Sequence, residues 1–135
     1  VNIPGPLTPA HWSDAYVGLP YAEADCAELA RRVRLEVFGQ AVPLPAERAA
    51  GLRGLSRQIE DLKADYGTPT TAPADGDAVL MYTRGRLRHV GLYCLIGGVA
   101  WVLHALRGAG ETRRHRLREL PGYGIQVEGF YRWRG

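Results

Sequence analysis

Cys26, His89 and His104 are the side chains of this 135-residue chain whose types and spacing could run a nucleophilic reaction. Cys26 follows Asp25, a good helix N-cap because its carboxylate can accept from backbone N–H groups that the first turn leaves unpaired. Glu28, three residues after Asp25, can reach back as the second half of a capping box. With Asp25 as the cap, Cys26 is the first helical residue, where the positive end of the helix dipole favours thiolate over thiol. A cysteine so placed needs a general base, and the base needs a third group to fix its tautomer. Backbone N–H groups of the same turn, that of Cys26 included, are candidates for stabilising an oxyanion. The competing reading makes Cys26 a small buried residue at a helix start.

His89 and His104 lie on successive strand-like segments joined at Gly97-Gly98. In a two-residue hairpin there, facing residues have numbers that add to 195. His104 is then level with Gly91 and His89 with Leu106, which makes the two rings diagonal neighbours on one face. A turn shifted by one residue would put them directly opposite. Cys94, five residues beyond His89, points through the sheet as a core residue. Tyr21 either offers a phenolic donor to the same site or is a half-buried loop tyrosine. A zinc site built from Cys26, His89 and His104 is the metal-based alternative.

These residues need a helix and a sheet to position them, and the hydrophobic period supplies both. Pro4 and Pro6 make residues 1–7 an extended arm, and Thr8-Pro9 starts a short helix over about 9–17. The helix from Cys26 is expected to run to about Phe38 and stop at Gly39. Leu52, Leu55, Ile59, Leu62 and Tyr66 mark a further amphipathic helix. Thr68 to Gly76 reads as a loop, after which the period becomes strand-like. Strands are predicted over 77–83, 87–96, 99–107 and about 125–133, with a turn at Arg84-Gly-Arg86. Residues 111–120 fit either a strand or a basic helix. The layout predicts a single α+β domain over 1–135, with helices first and an antiparallel meander after them.

Composition sets wider bounds. The chain is 46% hydrophobic and 23% charged, with no apolar run long enough to span a membrane, so membrane insertion is not expected. Its net charge of +3 hides an asymmetry: residues 1–77 carry 7 basic and 11 acidic side chains, residues 78–135 carry 10 and 3. A basic face can meet an anionic polymer. With no aromatic-interleaved basic motif, nucleic acid is not the expected partner. Arg113, Arg114 and Arg116 are the candidates for contacts to such a polymer, and His115 among them reads, like His11, as lying outside the site. Two cysteines do not make a disulfide framework, and no signal-peptide pattern opens the sequence.

Tyr21, the Asp25-Cys26 pair with Leu29, Gly76-Asp77 before a strand, His89-Val-Gly-Leu-Tyr93 and His104-Ala105 follow the order and spacing of the NlpC-type cell-wall cysteine peptidases. This resemblance to a papain-like family spans residues from about 12 to 107. It implies Cys26 as nucleophile, His89 as base, His104 as the third polar residue and Tyr21 as the active-site tyrosine, with no metal and no cofactor. It also implies cleavage of an amide bond in peptidoglycan stem peptides, usually the one after γ-D-glutamate. The chain differs in having only Ala22-Glu-Ala24 between tyrosine and cysteine, and Ala27-Glu28 where a Ser-Gly pair is usual. The compact layout most resembles tail-assembly members of phages and prophages. Such a protein would be made in the bacterial cytoplasm and act at the cell envelope, with other tail proteins as partners. Two alternatives stay open: a structural tail protein of the same fold without the chemistry, and an acyl-transferase or deamidase using the same Cys-His-His site.

Overall fold

The computed structural model describes residues 10–42, 56–61, 65, 67–83 and 87–134. Asp25 caps helix α1 (Cys26–Glu36), its Oδ1 accepting from Glu28 N at 2.9 Å. Leu29, Ala30 and Val33 form the buried stripe of α1, while Leu35 and Glu36 face outward. The helix ends two residues before the expected Phe38, where Gly39 takes a left-handed conformation (φ 66°) and its N–H reaches Leu35 O. Asp25→Ala is expected to cost about 1 kcal/mol through the lost cap. An unchanged urea midpoint would contradict it.

Six strands form one antiparallel sheet: β1 (Gly67–Thr70), β2 (Ala78–Tyr82), β3 (Arg88–Ile96), β4 (Val99–Leu106), β5 (Glu111–Arg116) and β6 (Gln126–Trp133). Their order is β1-β6-β2-β3-β4-β5. The expected meander is present only from β2 to β5. β6 returns to pair with the free edge of β2, satisfying backbone groups that a plain meander would leave open. Outside it lies β1, all but its first residue within the stretch predicted as loop. Pro69 and the small polar residues around it give no strand period, and an edge position is where a sheet tolerates proline. In the ambiguous region, alternation prevails for 111–116, and a 3-10 helix follows over Leu117–Tyr123.

The β3–β4 hairpin has the expected register, with Leu92 opposite Leu103 and Ile96 opposite Val99. Gly97 and Gly98 both have positive φ, as a two-residue turn of this kind requires. At the N-terminal side, the ordered turn is a 3-10 helix over Trp12–Tyr16 rather than a helix over 9–17, and His11 caps it instead of Thr8. A His11 ring nitrogen can accept from Ser13 N, so it satisfies the first-turn donors as a hydroxyl would. The arm over 1–7, Thr8-Pro9, Leu52, Leu55, Leu62, Tyr66 and the Arg84-Gly-Arg86 turn lie outside the described residues. Of the predicted second amphipathic helix, residues 56–61 and 65 are helical, and Ile59 is buried in the core.

Each face of the sheet has its own core. On one, Leu29 and Val33 of α1 pack with Leu80, Val90, Leu92, Cys94 and Leu103. On the other, Val79, Met81, Tyr93 and Val102 are covered by Leu120 and Ile125. Gly76-Asp77 ties the α1 side together. Gly76 O accepts from Trp133 Nε1 (2.9 Å) and Arg34 Nη1 (3.2 Å), and the buried Asp77 carboxylate accepts from Ala74 N (2.8 Å) and Arg132 (3.3 Å). The fold is mixed α+β. No helix among the described residues is long and apolar enough to cross a membrane.

Candidate functional site

The first turn of α1 points its N-terminus at the end of the sheet where β3 begins and β4 finishes. A cleft of about 630 Å³ opens there, lined by Tyr21, Cys26, Arg88, His89, Arg107 and Tyr123 among others. Cys26 borders this cleft although only 3% of its surface is exposed, because its side chain also belongs to the α1-side core. Cys94 takes no part: it is fully buried, and burial pushes its thiol up to about 12.

Two contacts bring the surrounding chain to the cleft. Residues 18–21 hook onto the outer edge of β5 through Gly18 N to Thr112 O (2.8 Å), Thr112 N to Leu19 O (2.9 Å) and Tyr21 N to Gly110 O (2.9 Å), which delivers Tyr21. On the far side, Ser56 Oγ accepts from Arg88 N (2.8 Å) and Glu60 pairs with the Arg88 guanidinium (2.5 Å). These contacts hold the beginning of β3, where His89 follows immediately. Glu28, a potential negative charge near Cys26, is instead neutralised by Arg31 (2.6 and 2.8 Å) and Arg32 (3.1 Å). The Arg31 fork above all holds its carboxyl down at about 2.

His89 and His104 share the sheet face opposite α1, as their register predicts. Nε2 of His89 lies 3.0 Å from Nδ1 of His104, leaving Nδ1 as the other ring nitrogen of a residue that lines the cleft. Gly91, between them on β3, has no room for a side chain. A Cβ there would come within 2.6 Å of Val102 Cγ1 and 3.0 Å of Met81 Cε. Burial pushes His89 down to about 4, and burial with the neighbouring rings pushes His104 well down. An imidazolium at His89 therefore needs an adjacent anion, such as a thiolate, to form at neutral pH.

The structure adds two residues that sequence reasoning left out. His115 on β5 is not on a solvated arginine face: its Nδ1 lies 2.9 Å from Nε2 of His104. Tyr123 from the 3-10 helix stacks on His115 at 4.4 Å between centroids and also borders the cleft. The signal for His115 was present in its parity. Once 111–116 is a strand paired to β4 with Val102 opposite His115, that ring must share the face of His104. No sequence signal placed Tyr123. The expected wall-binding arginines are partly engaged, Arg114 with Asp14 (2.5 Å) and Arg116 with Glu119 (3.8 Å), and both lie near the Trp101 ring. The zinc arrangement is not formed: among the described residues no group of three acidic, Cys or His side chains could hold a metal ion.

A capped helix with a cysteine at its head, a cleft at one end of a six-stranded antiparallel sheet and a row of histidines on that sheet define this α+β protein. The chain matches no protein-family model, no curated protein and no solved structure.

Proposed function

We propose that this chain is a papain-like, NlpC-type cysteine peptidase that hydrolyses an amide bond in peptidoglycan stem peptides, working as part of a phage-like tail. One observation carries the reading: Cys26 at the head of α1 and His89 border one cleft, and Nε2 of His89 is 3.0 Å from His104. In this reading the Cys26 sulfur attacks the carbonyl carbon and its proton passes to Nδ1 of His89. First-turn N–H groups stabilise the oxyanion. Collapse of the intermediate returns the proton to the leaving amine, and water then hydrolyses the thioester with His89 again as base. Tyr21 lines the substrate side. Arg107 on the cleft suits a substrate bearing free carboxylates, as stem peptides do.

The test is digestion of purified sacculi, with mass analysis of the released peptides. New amine and carboxylate termini within the stem are expected. A mass change without chain cleavage would instead assign acyl transfer or deamidation, and no change at all would leave only the structural tail role. Thiol reactivity gives an independent check, since Cys26 borders the cleft whereas Cys94 does not and has its thiol pushed up to about 12. Cys26 should alkylate at pH 6–7 faster than a free cysteine, whose pKa is about 8.5. Labelling at or below the free-thiol rate would argue against an activated nucleophile.

A further inference from the structure

Three histidines stand in a diagonal row across three neighbouring strands, His89 on β3, His104 on β4 and His115 on β5. Their contacts run Nε2 to Nδ1 at 3.0 Å and again Nε2 to Nδ1 at 2.9 Å. His104 is fully buried, and both its nitrogens are occupied by the neighbouring rings. In a row of neutral imidazoles each contact needs one N–H and one bare nitrogen, so the protons must all point the same way. Only two arrangements exist. In one, every ring carries its proton on Nε2, and His89 keeps a bare Nδ1. In the other, every ring carries it on Nδ1, and His89 has no lone pair there to take a proton from Cys26.

We propose that His115 is a positioning residue of the site, its Nδ1 accepting from His104 Nε2–H and so supporting the arrangement in which His89 presents a bare Nδ1. The role rests on the peptidase reading for its consequence in catalysis, but the proton arrangement exists with or without a substrate. Without an acceptor at His115, the buried His104 Nε2–H would be unsatisfied, which is costly. The row would then reverse, with His104 protonated on Nδ1 and donating to His89 Nε2. His115 is itself fixed on its other side by the Tyr123 ring, with the rings inclined at 37°.

The experiment compares the parent with His115→Asn and His115→Phe. Asparagine places an acceptor oxygen near the position of Nδ1 but cannot titrate, while phenylalanine keeps a ring against Tyr123 and offers no acceptor. Two-bond 1H–15N spectra of the full chain at pH 7.5 report which nitrogen of each ring carries the proton. Nε2–H on His89 and His104 is expected in the parent and in the Asn variant, and Nδ1–H on His104 in the Phe variant. On a stem peptide, the Phe variant should lose about 10- to 100-fold in kcat at unchanged KM, with the Asn variant within a few-fold of the parent. Nδ1–H on His104 of the parent, or unchanged tautomers in the Phe variant, would overturn the assignment. Should the Phe variant not fold, the parent and Asn spectra still decide. A parent with the expected tautomers that cleaves nothing would sink the peptidase reading and leave the role of His115 in the row intact.

Discussion

Cys26→Ala is expected to abolish release of cleaved stem peptides from sacculi, with a loss of about 10⁴-fold or more in kcat, because no other group at the cleft can form the thioester. The fold should survive. Cys26 sits at the first position of α1, where Asp25 still accepts from Glu28 N, and alanine is a good helix residue that removes only one sulfur from the core. A urea midpoint close to that of the parent would confirm that the loss is chemical. His89→Ala should cost a similar factor, and the double variant little more, since nucleophile and base act as a unit. Parent-like activity in both single variants would remove the cysteine mechanism altogether.

Acidification is expected to destabilise the protein by about 3 kcal/mol through His89 alone, because burial disfavours its charged form. Burial holds the folded-state pKa of His89 at about 4, against about 6.5 in the unfolded chain. Between those values the unfolded chain binds a proton that the folded chain refuses, so stability rises with pH across the window. It is complete above pH 6.5 and is lost as pH falls toward 4. His104 and His115 are shifted in the same direction, also by burial first, and add to the loss with the same sign. Urea midpoints for the Cys26→Ala variant at pH 7.5, 6 and 5 measure the effect with no titration of the Cys26 thiol. A midpoint constant from pH 7.5 to 5 would show that the row is charged or solvated in the folded state. Glu28 and Asp14, both held low by arginine partners, act only at still lower pH.

The same pressure bears on mechanism. Since burial disfavours a positive charge on His89, the proposed mechanism requires a thiolate at Cys26 to balance the imidazolium as the proton is transferred. This couples the two groups more tightly than in an exposed pair. In the same proposed mechanism, the buried ring of His104 would orient His89 without adding a charge of its own.

Local chemistry made much of this legible in the chain. The Asp25 cap, the start of α1 at Cys26, the Gly97-Gly98 turn and the odd sum of 89 and 104 depend only on neighbouring residues or on strand period. For that reason the cap, the hairpin register and the contact between His89 and His104 follow from the sequence itself. β1 carried no period of its own and exists because β6 offers it an edge, and the place of β6 beside β2 is a choice among distant partners. His115 and Tyr123 were decided at the same level. A basic strand and a Pro-Gly-containing turn look solvated until pairing with β4 lays one ring against His104 and folds the 3-10 helix over it. The sequence by itself determined the helix that Cys26 begins and which two histidines would meet. Tertiary structure decided how far the histidine row extends and where the cleft opens, because those depend on pairings between segments far apart in the chain, which no local preference specifies.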